Sequence, residues 1–326
     1  MRMLHFIGAF ALTLAVSTSA SLAQEKAKMR IGTHISIVAH LIMQKKPEIL
    51  KNYGKSYEIE WTRFSGSGDA APALVADKID GSLATPFPLT NALFQSQVPV
   101  TVVHQLLSFG FDGYYDDAAV VRADSGINKF ADLKGKIVGV NAIGGTLEQG
   151  VRILAKKNGL DADKDLTIVE GRPPFLPQMV IDGKADAAVL FQPFFEQAMA
   201  KGNLKVLYTA SDIYGGPTDY VFMMFSNKFL NANKKAVGDY VQDYLIAANW
   251  MLDNRDEAVK LFAEQWKLPV PVVDSYMLTK KDYLVRRDGT VSAKAIQPVI
   301  DALVANGFVA KGYDVAKYID LSYLRK

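Results

Sequence analysis

The sequence predicts an α/β protein of two lobes with a helical C-terminal region, and three observations carry that expectation. Strand-like and helix-like segments alternate through roughly the first two thirds of the chain, the pattern of largely parallel sheets. The 326 residues are too many for one core at roughly 100–200 residues per domain. Two stretches also echo each other. Lys78-Ile79-Asp80 leads into Gly81-Ser82-Leu83-Ala84-Thr85-Pro86-Phe87, and Lys184-Ala185-Asp186 into Ala187-Ala188-Val189-Leu190-Phe191-Gln192-Pro193-Phe194. In each, a helix ends, Lys-x-Asp turns, a strand of small residues follows, and Pro-Phe lies just beyond it.

The N-terminus reads as an export signal. Arg2 and His5 form a short polar start, residues 6–16 are apolar and uncharged, and Ser21-Leu22-Ala23 fits the small-x-small rule, so cleavage after Ala23 is expected. The apolar run is too short for a membrane anchor, which takes roughly 20 residues. The sequence has no cysteine, which excludes both disulfides and an N-terminal lipid tether. A soluble periplasmic monomer of 303 residues is the expectation, with 36 basic against 34 acidic residues, a net charge of +2. So even a balance, without a basic cluster, argues against nucleic acid as a partner.

The elements follow in order. Residues 29–32 read as a strand, 39–53 as a helix, 58–64 as a strand, 69–77 as a helix and 81–84 as a buried strand. Residues 98–103 and 118–122 are further strands. A second set begins with a strand at 136–141, a helix at 147–158 closed by Gly159, and a strand at 166–169. A helix at 177–182 and strands at 187–190 and 205–208 complete it. After Tyr220 the texture changes: Val237, Val241, Tyr244, Ala248 and Leu252 keep a helical period, and 258–266 continues it.

In open α/β sheets ligands sit outside the carboxyl ends of the strands. The corners before Pro86 and Pro193, holding Thr85 and Gln192, are therefore expected to face each other across a cleft. Ser65-Gly66-Ser67-Gly68-Asp69 joins a strand to a helix, and Gly144-Gly145-Thr146 starts a second. Small residues let backbone N–H groups approach a ligand, and a helix N-terminus favours an anion. The plainer reading is a capped helix, and Thr146 with Gln149 matches a capping box. From Gly139 the spacing mimics a phosphate-binding loop, but Gly145 stands where lysine is needed. His34 follows the first strand as a cleft candidate, whereas His40 and His104 read as structural. None has the short ligand spacing of a zinc site, and no cofactor is expected. Arg172 follows a strand and offers a guanidinium for an anion, or a plain surface ion pair. Phe64, Phe87, Phe175, Phe191, Phe194, Tyr214 and Tyr220 cluster at the corners, which suggests a ligand with an apolar or aromatic body. No nucleophile elbow is present, so no enzyme is expected; a secreted hydrolase is the alternative.

The stretch Val120-Val121-Arg122-Ala123-Asp124-Ser125-Gly126-Ile127, followed by Phe130-Ala131-Asp132-Leu133-Lys134-Gly135-Lys136, resembles the opening of the second lobe in alkanesulfonate, taurine and nitrate binding proteins of ABC importers. Ser65-Gly66-Ser67, the helix–turn–strand at 74–84 and Gly144-Gly145-Thr146 match as well. Binders of pyrimidine precursors and riboflavin share the pattern. One departure is Asp77, where the family usually has glycine before Lys-x-Asp. The resemblance implies the type II periplasmic-binding-protein fold, with the ligand cleft between lobes and hinge closure. It places lobe one at 24–124 and 217–326 and lobe two at 125–216, with crossovers near Ser125 and Gly216. Permease and ATPase subunits are the implied partners, and a membrane sensor is the alternative to a permease. A small organic anion is the implied ligand, with a neutral pyrimidine or flavin-type precursor as the alternative. His34, Ser65, Gly66, Ser67, Thr85, Gly145, Thr146, Arg172, Gln192 and Tyr220 are the expected contacts.

Overall fold

The computed structural model describes residues 26–324; the expected signal and its cleavage site lie outside them. The first lobe runs β1 (Ala27–Thr33), α1 (Val38–Lys45), β2 (Tyr57–Arg63), α2 (Ser67–Val75), β3 (Gly81–Ala84), α3 (Pro86–Thr90) and β4 (Val100–Phe109). The second runs β5 (Ala118–Arg122), β6 (Lys136–Val140), α4 (Thr146–Lys157), α5 (Ala162–Asp165), β7 (Leu166–Glu170) and α6 (Leu176–Ile181). It continues with β8 (Ala187–Leu190), α7 (Phe194–Ala200), β9 (Leu204–Thr209) and α8 (Ala210–Tyr214). The chain then returns through β10 (Thr218–Ser226) to α9 (Asn227–Ala232), α10 (Lys234–Asp253), α11 (Arg255–Trp266), α12 (Val270–Asp274) and α13 (Ala293–Ala305).

Both sheets have five strands and one topology, β2-β1-β3-β10-β4 and β7-β6-β8-β5-β9. They are mixed, not largely parallel: β10 runs antiparallel to β3 and β4, and β5 antiparallel to β8 and β9. The first crossover therefore lies between Phe109 and Ala118, not near Ser125, and residues 118–122 belong to the second sheet. Two apolar runs parted by a turn, β4 and β5, read in sequence as neighbours in one sheet. The second crossover joins Thr209 to Thr218. Strand β10 was not expected: eight of its nine residues are buried, so it lacks the alternation that marks a half-exposed strand.

The Lys-x-Asp echo has a physical cause. Strand β1 pairs β3 at Ile31–Gly81 and Gly32–Ser82, as β6 pairs β8 at Val138–Ala187 and Gly139–Ala188. One residue earlier, the Arg30 N–H donates to the Asp80 carboxylate at 2.8 Å and the Ile137 N–H to Asp186 at 2.9 Å. Each aspartate thus terminates the ladder between the two inner parallel strands. The preceding turns match too. Asp77 and Gly183 are left-handed, with φ of 55° and 71°. The Lys78 N–H reaches Ala73 O at 2.9 Å and the Lys184 N–H reaches Met179 O at 2.8 Å, as in a Schellman ending. Aspartate tolerates the left-handed region better than most side chains, and Asp77 adds ion pairs to Arg30 and Lys228. The turn keeps its shape without glycine.

The C-terminal helices complete the first lobe. Asp243 of α10 is fully buried. It accepts from the N–H groups of Lys51, Asn52 and Tyr53, from the Asn52 amide and from the Tyr57 hydroxyl, at 2.9–3.1 Å. Among the described residues no helix is long and apolar enough to cross a membrane.

The two ladder-terminating aspartates differ in burial. Asp80 is 5 % exposed and also binds the Arg30 guanidinium, while the Asp186 side chain is 33 % exposed. Asp80→Asn is expected to cost about 3 kcal/mol, and Asp186→Asn about 1 kcal/mol. Urea unfolding of the two variants measures the gap, and equal losses would refute this account of the repeat.

Candidate functional site

A cavity lies where the carboxyl ends of the parallel strands of both lobes meet. From the first lobe come His34, Ser36 and Ile37 after β1, Gly66, Ser67 and Gly68 at the start of α2, and Thr85 after β3. From the second come Asn141 and Ala142 after β6, Gly145, Thr146 and Leu147 at the start of α4, and Phe191 after β8. Asp117 of the first crossover, Tyr220 and Val221 of β10, and Tyr283 close the wall over Leu83 and Leu107. The cavity encloses about 60 Å³ measured at the centres of water molecules, room for on the order of five waters. Among the described residues no lysine or arginine lines it.

The repeat shows how the walls are paired. In chain order α1 corresponds to α4 and α2 to α6. Gly145-Thr146 is thus the counterpart of Ser36-Ile37, not of Ser65–Ser67, yet the starts of α2 and α4 abut. A Cβ on Gly68 would lie 2.9 Å from Ile143 O and 3.0 Å from Gly145 N, and one on Gly66 would lie 2.5 Å from Asn141 Nδ2. Glycine here permits lobe-to-lobe contact. The left-handed turn at Gly144, φ 75°, brings the chain from β6 into α4.

A chain of hydroxyls joins the lobes: Ser67 to Thr85 at 2.7 Å, and Thr85 to Thr146 at 2.7 Å. The Phe87 N–H also donates to the Thr146 hydroxyl, at 3.1 Å. The expected capping box is therefore absent. Gly145 is the N-cap and Thr146 the first helical residue, while Gln149 donates to Glu148. Two further bonds cross the cleft, Asn141 Nδ2 to Ser65 O at 3.2 Å and Ser36 Oγ to Gln192 O at 2.8 Å.

Of the expected contacts, His34, Gly66, Ser67, Thr85, Gly145, Thr146 and Tyr220 come together in the wall. Ser65, Gln192 and Arg172 do not. Ser65 stands behind the wall, its carbonyl held by Asn141. The Gln192 side chain turns to the Lys281 carbonyl and the Glu196 N–H. Arg172 is exposed; the Ile143 N–H donates to Glu170 at 2.8 Å, so the loop before α4 covers the end of β7. Of the seven aromatics only Phe191 and Tyr220 line the cavity. Phe87 and Phe194 are core and Phe175 is 59 % exposed, so the expected aromatic enclosure is not built. Sequence reasoning missed Asn141, Asp117 and Tyr283. Asn141 had a signal, being the repeat partner of His34: each stands two residues beyond the paired glycines Gly32 and Gly139.

The NMT1-like family matches residues 22–264, about three quarters of the chain. The chain belongs to the NMT1-like family. It is 23 % identical over 317 residues to a putative aliphatic sulfonates-binding protein of Escherichia coli K12, covering 95 % of this chain and 94 % of that one. Its fold matches the alkanesulfonate-binding protein SsuA of Xanthomonas axonopodis pv. citri bound to MOPS, with a TM-score of 0.73 at 21 % identity, over 92 % of this chain and 100 % of that one. It also matches the nitrate-binding protein NrtA of Synechocystis PCC 6803, with a TM-score of 0.71 at 16 % identity, over 93 % and 88 %. The type II periplasmic-binding-protein fold and its α/β class are those of these relatives.

Three polar groups in this NMT1-like cavity stand out by what they lack. His34 Nδ1 accepts from the Ser36 N–H at 3.3 Å, which places the neutral ring's proton on Nε2. That buried Nε2 has no partner among the described residues. Burial lowers the His34 pKa to about 4; the nearby Ser65 backbone opposes this without reaching hydrogen-bonding geometry. The buried Tyr220 hydroxyl lies near the Thr146 side chain without reaching hydrogen-bonding geometry, and has no partner among the described residues. Asp117, 5 % exposed, accepts on Oδ1 from the Tyr283 hydroxyl at 2.7 Å, and among the described residues no hydrogen bond reaches its other oxygen. Burial pushes its pKa up to about 8; the Tyr283 bond opposes the shift and Asp116 adds to it. By contrast His40 is satisfied, bonding Thr33 at 2.7 Å and Tyr240 at 3.0 Å.

The sign of the Asp117 linkage is fixed by these values. The unfolded carboxyl loses its proton near 3.8 and the folded one near 8. The folded state therefore holds the extra proton between them, and stability drawn from this group falls as pH rises through that window. His34 and His104, lowered to about 4, act oppositely between about 4 and 6.5. Asp117→Asn cancels only the first effect. Thermal unfolding of both proteins from pH 5 to 8.5 should show the variant gaining on the wild type as pH rises. A constant difference would mean that Asp117 is already ionised in the fold.

Proposed function

We propose that this chain is the extracytoplasmic solute-binding component of an ABC importer, that it works in the periplasm, and that it captures a small organic anion between its lobes. The observation that carries this reading is the abutment of the α2 and α4 N-termini around the hydroxyl chain Ser67–Thr85–Thr146. First-turn N–H groups have no acceptor inside their own helix and lie at the positive end of its dipole. Two such ends in one small cavity attract an anion without lysine, arginine or metal. His34 Nε2–H adds a donor already stripped of water. The names of the relatives, for aliphatic sulfonates, an alkanesulfonate and nitrate, point to ligands of the same kind. An aromatic acid fits less well, because among the described residues only His34, Phe191, Tyr220 and Tyr283 bring rings to the wall.

Contacts from both lobes favour the closed state, since only there are both sets made. The permease and its ATPase then receive the closed, loaded form as the chain's partners. A hydrolase is the poorer reading of this site. The Ser67 hydroxyl is bonded to Thr85 and His34 Nδ1 to the Ser36 backbone, so no serine–histidine pair forms. One observation favours a second ligand class: with no cation in the wall, a small neutral pyrimidine is also accommodated. A flavin is far larger than a cavity with room for on the order of five waters.

Calorimetry of the mature chain against short sulfonates, with and without an amino group, and against uracil separates these readings. A sulfonate is expected to bind, and Thr146→Val to weaken it by roughly tenfold, about 1.4 kcal/mol. Binding of uracil alone would replace the anion reading. N-terminal sequencing of an osmotic-shock fraction is expected to start at Gln24, and recovery only with membranes would overturn the periplasmic assignment.

A further inference from the structure

We infer that Asp117 is a cation-recognising group of the cavity, so that the ligand carries an ammonium as well as its anionic end. This rests on the anion reading and narrows it to short amino-bearing sulfonates or carboxylates. Two fully buried carboxylates of this protein are well supplied with donors. Asp243 accepts from five donors. Asp219 accepts from Ser108, Arg286 and the Ser292 N–H. Asp117 is buried to a similar degree, yet Tyr283 is its one hydrogen-bond donor among the described residues. Asp116 also has an unpartnered oxygen, but outside the cavity wall; Asp117 stands in the cavity wall, where a bound partner can meet its open oxygen.

The direction of the Tyr283 bond sharpens the point. The Tyr283 oxygen accepts from the Gln192 N–H at 3.1 Å, which leaves its own proton for Asp117 Oδ1. The titrating proton, or a ligand donor, then belongs on Oδ2. No bond joins Asp117 to the hydroxyl chain, so the wall has two separate polar regions. One offers donors, from the helix starts and His34 Nε2–H; the other offers an acceptor. A zwitterion of a few heavy atoms matches both, and a simple anion matches only the first.

Around Asp117, the charge change near pH 8 is its own, while Asp282, beside Tyr283, is raised by burial to about 6. Tyr115, Tyr214, Tyr220 and Tyr283 are held neutral by burial. Asp116 is raised by burial and opposed by bonds from Ser211, and His34 is neutral above about 4. An ammonium seated on Oδ2 favours the carboxylate and so expels its proton. Binding at pH 7 should release most of one proton and tighten as pH rises toward about 8. A simple anion would do the reverse, accepting a hydrogen bond from the protonated acid.

Calorimetry on the mature protein at pH 7, in phosphate and in Tris, reads both affinity and protons exchanged. The probes are taurine against ethanesulfonate, and β-alanine against propionate. The amino member of at least one pair is expected to bind at least tenfold tighter, with proton release. Asp117→Asn should abolish that preference, while Arg172→Ala, exposed and outside the cavity wall, should retain it. The wild-type comparison stands even if Asp117→Asn fails to fold. Equal or tighter binding of ethanesulfonate and propionate, or proton uptake with the amino ligands, overturns the role of Asp117 and leaves the anion reading standing. Heat from none of the four overturns both.

Discussion

Each sheet contains one strand whose chain arrives from the other lobe, and the rest of the architecture follows from that exchange. The edge strand β4 hands the chain to β5 of the second sheet, and the edge strand β9 hands it back to β10 of the first. Neither sheet is complete alone, so the lobes are tied by two short crossovers at the same place in each topology. The parallel strands of both lobes end at the interface between them. The crossovers border the same space, which is why Asp117, just before β5, and Tyr220, within β10, stand in the cavity wall with the helix starts.

Buried polar groups in this protein fall into two kinds. Asp80, Asp219 and Asp243 are saturated with donors and hold backbone together: a ladder end, a C-terminal segment and the loop after α1. His34 Nε2 and the Tyr220 hydroxyl are buried without a hydrogen-bond partner among the described residues, and Asp117 accepts on one oxygen only there. Leaving such a group unmatched costs about 1–3 kcal/mol. Unpartnered buried atoms also occur outside the cavity, at His104, Asp116 and Trp266 among others, so it is the position in one cavity wall, and not the missing bond alone, that marks a receiving surface.

Much of the fold was legible in the sequence because local rules and tertiary demands agree. Residues 81–84, 118–122 and 187–190 form strands with the bounds their small or β-branched residues suggest. The Lys-x-Asp echo reported a true structural repeat, since each aspartate closes a ladder. Illegible parts depend on pairing at long range. Residues Thr218–Ser226 are apolar on both faces, a pattern that strand and buried helix share. Ala118–Arg122 carries nothing local to say which sheet it enters. Asp117 is one acid among 34 acidic residues, and only the fold strips its water. Arg172 fails for the converse reason: its chemistry suits an anion, but the fold leaves it exposed and outside the cavity wall.

The hydroxyl chain between the lobes has a consequence that lies in its hydrogens. Ser67, Thr85 and Thr146 own three hydroxyl protons but use two to join one another. One proton is always left over, and the two directions in which the chain can run deliver it to opposite ends. Run one way it emerges at Ser67 on the first lobe; run the other way it emerges at Thr146 on the second. Reversal needs only rotation about three C–O bonds, with no heavy atom displaced. The seam between the lobes is thus a relay with a movable donor, able to face an oxygen presented from either side.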